Sequence, residues 1–217
     1  RSVSNMIIQL IEFILHIDVY LEAIVNAYST LTYTLLFAII FFETGIVIAP
    51  FLPGDSLLFA AGALAAIDAF NIWILFLVVL SAAVLGDTVN YHIGKYIGPK
   101  VFKKDSSIFF RKEYLLRAQS FYEKHGKKTI ILARFIPIVR TFAPFVAGIG
   151  NMSYRTFLAF NVIGGLLWCS VFVFGGFFFG NIPWIKERFG LLVIAIIIIS
   201  ILPLLKEAVA VFWKKKA

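Results

Sequence analysis

Long uncharged apolar runs alternate along this chain with apolar stretches broken by proline and charge. The uncharged runs cover residues 23–42, 69–86, 156–185 and 189–205. A helix needs roughly 20 mostly apolar residues to cross a bilayer, so each run is long enough, or nearly so, to be a span. Residues 31–67 and 129–150 are comparably apolar, yet prolines and ionisable side chains interrupt both. Proline removes a helical hydrogen bond and clashes with the preceding turn, so these two stretches are predicted as broken helices. Residues 4–28 and 111–125 mix apolar and polar positions at helical spacing, which predicts helices lying in the membrane interfaces. The first of these is just long enough to span, with Ser4 as its N-cap; Gly126 is the natural C′ residue of the second.

Composition agrees with that pattern. Of 217 residues, 61% are hydrophobic and only 15% charged, against about 45–50% and about 25% in soluble domains. The chain is therefore read as one integral membrane domain, residues 1–217. The single cysteine, Cys169, excludes an internal disulfide and is expected to be a small buried apolar residue. His16, His92 and His125 are too scattered for a metal motif, and no metal or cofactor is expected. Glu12, Asp18 and Glu22 interrupt the one region that would resemble a cleavable signal peptide.

The net charge of +8 is concentrated in two places. Between Lys95 and Lys128 there are ten Lys/Arg against Asp105, Glu113 and Glu123, and Lys214–Lys216 close the chain. In a soluble protein this charge would raise nucleic acid as a partner. In a membrane protein the positive-inside rule places both clusters in the cytoplasm, with anionic headgroups as an additional contact, and no nucleic acid is expected.

Two cytoplasmic anchors require an even number of crossings between Lys128 and Lys214. Three apolar segments are available there: 129–150, 156–182 and 189–213. One of them must enter and leave on the same side, and 129–150 is the obvious choice because it carries Arg134, Pro137, Arg140 and Pro144. Irregular backbone at membrane depth is tolerated only where protein or water covers it. The alternative is an ordinary kinked span with snorkelling arginines.

The first half repeats the plan: Glu43, Pro53, Gly54 and Asp55 break residues 31–67, and a span from Ile72 to about His92 follows. The expected fold is an all-α integral membrane protein. It is an inverted repeat of two re-entrant broken-helix hairpins, plus about three full transmembrane helices and amphipathic interfacial helices. The first repeat covers 5–94, with its hairpin at 31–67. A basic cytoplasmic loop with an amphipathic helix covers 95–128. The second repeat covers 129–182, with its hairpin at 129–150, and an extra C-terminal transmembrane helix covers 189–213. That last helix is a candidate homodimer contact.

Ionisable residues within a membrane are functional candidates by default, since each costs at least about 2.5–3.5 kcal/mol there. Glu43 and Asp55 are expected to accept protons; Arg134 and Arg140 offer forked donors suited to phosphate. Opposite charges in one low-dielectric cavity should pair, so the hairpin tips are expected to bring these four together near mid-membrane. The alternative is a permanent salt-bridge cluster that only ties the hairpins. Asp87, Asn90 and Tyr91 share a helix face that either lines the inner vestibule or packs and hydrogen-bonds against a neighbouring helix. Asn161, Gly164, Gly165 and Trp168 are read as a packing surface, and Asp68 and Asn71 as turn residues.

The strings FFETG (41–45), FLPGDSLLFAAGAL (51–64), GDTVNYHIG (86–94), the long segment around Arg134 (121–157) and FNVIGG (160–165) resemble the DedA family of bacterial membrane proteins, also known as SNARE-associated or VTT-domain proteins. The resemblance runs from about Phe13 to Pro203. It implies a proton-motive-force-dependent transporter of the bacterial inner membrane, with the acidic pair on Glu43 and Asp55 and the arginine pair on Arg134 and Arg140. It also implies lipid translocation: some members are implicated in returning undecaprenyl phosphate to the cytoplasmic leaflet. The expected function is therefore a lipid-phosphate flippase, with membrane lipids, polyprenyl phosphate and protons as partners. A proton-coupled exporter or ion transporter for a soluble substrate is the alternative. An enzyme such as a lipid phosphatase is not expected, because no clustered histidine base, Ser/Cys nucleophile motif or metal-binding run is present.

Overall fold

A computed structural model of the chain describes residues 29–46, 54–101, 120, 122–186 and 195. The amphipathic segment 4–28, Pro53, residues 102–119 of the basic loop, and the C-terminal segment 189–213 save residue 195 lie outside the described residues. The described residues are helical and contain no strand.

Helix α1 spans Ser29–Gly45, α2 Gly54–Ala65 and α3 Ile72–Val101. Residues 122–125 are helical and end at Gly126, whose φ of 59° is the left-handed conformation that glycine adopts without penalty at a helix end. A short 3₁₀ turn, Gly126–Lys128, leads into α4, Thr129–Ala133. Helix α5 is Pro137–Ile149 and α6 Tyr154–Cys169; α6 runs on through a π-helical turn, Ser170–Phe174, into α7, Gly175–Gly180. A last turn, α8, is Pro183–Lys186.

Length separates two kinds of helix. The stretches Ile72–Tyr96 and Tyr154–Gly180, of 25 and 27 residues, are long and apolar enough to cross a membrane, since either reaches about 38 Å or more at 1.5 Å per residue. Helices α2 and α5, of 12 and 13 residues, reach only about 18–20 Å against a hydrocarbon core of about 30 Å. Neither crosses alone.

The ends of these elements follow from local chemistry. Asn71 Oδ1 accepts from Trp73 N at 3.0 Å and Ile74 N at 3.1 Å, capping α3, while Asp68 takes a positive φ of 62° in the preceding turn. Ser153 Oγ caps α6 by accepting from Thr156 N at 3.4 Å. The break between α4 and α5 falls immediately before Pro137, where Ile136 is extended at φ −121° and ψ 105°, as the steric demand of a following proline requires. Pro137 then opens α5 at a position where its missing N–H costs nothing. Pro144, expected to break this hairpin, instead lies inside α5, which continues through it. A proline deletes one rung of the ladder, and the surrounding packing holds the remaining turns together.

The chain divides into two compact units. In the smaller, comprising the described residues before Thr34, Asp55–Leu75 and those from Phe172 on, α2 packs backbone to backbone on the π turn and α7. A Cβ on Gly62 would overlap the Val173 carbonyl, and one on Gly176 the Phe59 carbonyl. The larger unit takes Thr34–Gly54 and Phe76–Val171. Its apolar core is built on Phe142, Phe145, Tyr91, Ile130, Ala147 and Phe157. A Cβ on Gly94 would strike the Phe145 carbonyl and one on Gly148 the Tyr91 carbonyl, so α3 and α5 cross in near contact.

Side-chain burial departs from that of a water-soluble domain in two respects. Glu43, Asp87, Asn90, Arg134, Arg140 and Asn161 are buried, while Trp73, Leu77, Leu85, Leu167 and Phe178 are exposed. Charged groups buried within an apolar core, together with large apolar groups left exposed, fit a lipid solvent.

Candidate functional site

The site lies wholly in the larger unit and begins where α1 meets α3. At that crossing a Cβ on Gly86 would overlap Thr44 Oγ1 and stand 2.8 Å from the Phe41 carbonyl, so only glycine permits the approach. One turn further along α3, Asn90 donates from Nδ2 to the Thr44 carbonyl at 3.1 Å and to the Thr141 carbonyl at 2.8 Å. The Thr44 carbonyl is one of the orphan acceptors at the end of α1, and Asn90 satisfies it while tying α1 to α5.

Those ties set Glu43 against Arg140. Arg140 Nη2 donates to Glu43 Oε1, and the two side chains are 5% and 2% exposed. Each charge sits at the unfavourable end of its own helix. Glu43 lies in the last turn of α1, where the macrodipole is negative, and Arg140 in the first turn of α5, where it is positive. A dipole mismatch of this kind costs about 0.3–1 kcal/mol per charge at a surface. Neither helix favours its charged residue, so the pair is explained by what the two do together.

A second pair follows one element away. Arg134 caps the end of α4, a favourable place for a cation, and its Nη2 donates to Asp87 Oδ2 at 2.5 Å and to Asn161 Oδ1. Asn161 is held in turn by its Nδ2 on the Val84 carbonyl at 3.1 Å. Gly164 and Gly165 leave room for the guanidinium: a Cβ on Gly164 would stand 3.2 Å from Arg134 Cδ. The buried indole of Trp168 joins the two pairs, with the Arg134 and Arg140 guanidinium carbons 5.9 and 5.3 Å from its ring centroid.

Of the residues expected at the site, Glu43, Arg134 and Arg140 lie in this cluster, and Arg134 takes Asp87 as its carboxylate. Asp55 stands in the first turn of α2, in the smaller unit, where a negative charge complements the helix N-terminus. Gly54, the first residue of α2, lies against the Glu43 carboxylate. Asp87, Asn90 and Tyr91 do not share one role. Asn90 is an interhelical clasp, and Tyr91 stacks on Phe157 at 4.5 Å and donates its hydroxyl to the Met152 carbonyl. Both are fully buried, as the packing alternative requires. Asp87 belongs with the charges. Asn161 and Trp168, assigned from sequence to packing alone, touch the guanidiniums. Their spacing of seven residues on one face of α6, with two glycines between, was the available signal. Among the described residues no group of acidic, histidine and cysteine side chains is arranged to hold a metal.

The VTT domain family model matches residues 52–178. Protein DedA of Escherichia coli strain K12 is 55% identical over 201 residues, which cover 92% of each chain. The uncharacterized membrane protein ML0287 of Mycobacterium leprae is 46% identical over 170 residues, covering 78% of this chain and 76% of that one. Inner membrane protein YghB of Escherichia coli strain K12 is 35% identical over 159 residues, covering 73% of each. No solved structure matches. The family-model match over residues 52–178 and 55% identity to Protein DedA over 92% of the chain, joined to charges buried among apolar helices, make this chain a member of the VTT-domain (DedA) family of membrane proteins.

Proposed function

We propose that this protein is a proton-coupled transporter of the bacterial inner membrane that moves a lipid phosphate, foremost undecaprenyl phosphate, to the cytoplasmic leaflet. The observation that supports it most is the pair of fully buried guanidinium–carboxylate contacts, Glu43–Arg140 and Asp87–Arg134, set beside breaks in short apolar helices. Arginine forks match phosphate oxygens, and a carboxylate that takes a proton releases its arginine to an anion. In this scheme residues 31–67 and 129–150 are re-entrant hairpins from opposite faces, and the basic loop and C-terminus are cytoplasmic. Asp55 is a further proton acceptor. The polyprenyl tail stays in lipid while the headgroup alone passes the polar interior, and no covalent chemistry takes place.

The test is reconstitution. Purified protein in vesicles is expected to move undecaprenyl phosphate between leaflets, faster under an imposed pH gradient than without one. Folded protein that leaves the lipid in its original leaflet under both conditions sinks the proposal. Inhibition by a soluble anion, with no response to competing lipid phosphate, would instead assign the site to a soluble substrate.

A further inference from the structure

Asp87 and Arg134 are bonded asymmetrically. A single guanidinium nitrogen of Arg134, Nη2, serves both Asp87 Oδ2 and Asn161 Oδ1. Arg134 Nε and Nη1, and Asp87 Oδ1, are buried without a hydrogen-bond partner among the described residues. Each unsatisfied buried polar atom costs about 1–3 kcal/mol, and native interiors hold few of them. Three in one ion pair leave Arg134 and Asp87 with capacity for a further partner.

The two anchors of Arg134 differ in kind. Asn161 has no charge to lose, and its amide is held on the Val84 carbonyl. Asp87 can take a proton. When it does, the guanidinium loses its counter-charge but keeps Asn161 and the Trp168 ring as supports. Its Nε and Nη1 are donors ready for an anion.

We propose that Asp87 is a proton-exchanging residue of the transport site, neutralising Arg134 while ionised and yielding it to a phosphate headgroup when protonated. This rests on the transport function proposed above and adds a carboxylate to it. The step balances: one proton joins the Asp87 carboxylate, the guanidinium keeps all of its own, and a headgroup negative charge takes the place of the one lost. Departure of the proton reverses each change. Among the described residues, the charged and titratable groups facing Asp87 are Arg134, from the turn after α4, Arg140 from α5, and Tyr122. Tyr122 donates its hydroxyl to the Ala143 carbonyl at 3.0 Å. Burial, reinforced by the Asp87 charge, pushes its ionisation up, so it remains a neutral donor throughout.

Translocation of polyprenyl phosphate by reconstituted protein, measured across a pH series, tests the assignment. A wild-type protein that moves no lipid phosphate at any pH overturns the transport function and this inference with it. With wild-type transport in hand, Asp87→Asn keeps the side chain's size and its acceptor for Arg134 but cannot ionise. It is expected to lose at least about a hundredfold in rate, the scale of a positioned proton carrier, and to flatten the pH profile that remains. A merely structural anchor would leave that profile in place, so a wild-type profile in D87N overturns the role. Should D87N fail to insert, Asp87→Glu carries the test. It retains the charge at a reach longer by one methylene and is expected to shift the midpoint of the profile. An unshifted midpoint overturns the role equally.

Discussion

Gly54 lies so close to Glu43 that a Cβ at position 54 would overlap the carboxylate. That carboxylate is also the acceptor for Arg140, so any larger residue at 54 must displace one of the two. Gly54→Ala is expected to insert and fold, because α2 is otherwise a good helix, yet to lose most of its transport. The vesicle assay and a melting curve in detergent separate these outcomes. Wild-type transport in G54A would show that the carboxylate has room to move aside.

The Glu43–Arg140 pair predicts a different signature. Glu43→Gln takes from the buried Arg140 guanidinium its hydrogen-bonded counter-charge, and breaking a buried pair in this way costs about 3–5 kcal/mol. The double variant with Arg140→Gln removes both charges and is expected to recover much of that stability. If the pair only holds helices together, transport recovers with it; if it carries the transport step, transport stays lost. Denaturation midpoints and flip rates on the single and double variants decide between them.

Asn90 offers a test of architecture without chemistry. Asn90→Leu strands the Thr44 and Thr141 carbonyls, at about 1–3 kcal/mol for each buried group left unsatisfied. The melting temperature is expected to fall well below wild type, more than for Asn90→Gln, whose amide still carries both donors.

Glycines should sort by what surrounds them. Gly148→Ala drives a Cβ into the Tyr91 carbonyl, so the α3–α5 crossing must open and the folded yield is expected to collapse. Gly126→Ala meets nothing within 4 Å and bears only its positive φ, a cost of about 1–2 kcal/mol. Comparable losses for the two would contradict near contact at the crossing.

Much of this architecture is legible in the chain because its signals are local. The two long apolar stretches, the break before Pro137 and the helix end at Gly126 each follow from a few neighbouring residues and the sterics of proline or glycine. That Glu43 requires a cation is equally legible, since a lone carboxylate among apolar helices is too costly. Which cation, and which acid joins Arg134, depends on helix crossings between residues 47 and 97 positions apart. Asp87 lies just past the end of an uncharged run, where it reads as the polar margin of a span. It is buried because Gly86 and Gly94 bring α1 and α5 down onto α3. Pro144 misleads for the opposite reason: the local rule is sound, but packing around α5 outweighs it.

The two ion pairs have an electrical consequence. With both carboxylates ionised, the four side chains sum to zero, and a transmembrane voltage finds no net charge there to pull on. A single proton makes the cluster a monocation, and about 2.3 kcal/mol per 100 mV then acts on whatever moves with it. An arriving monoanionic headgroup cancels that charge again. In the proposed cycle the loaded cluster and the empty, deprotonated one both sum to zero. Voltage therefore acts only on the protonated cluster before a headgroup arrives, and a pH gradient more than the membrane potential is expected to drive the cycle.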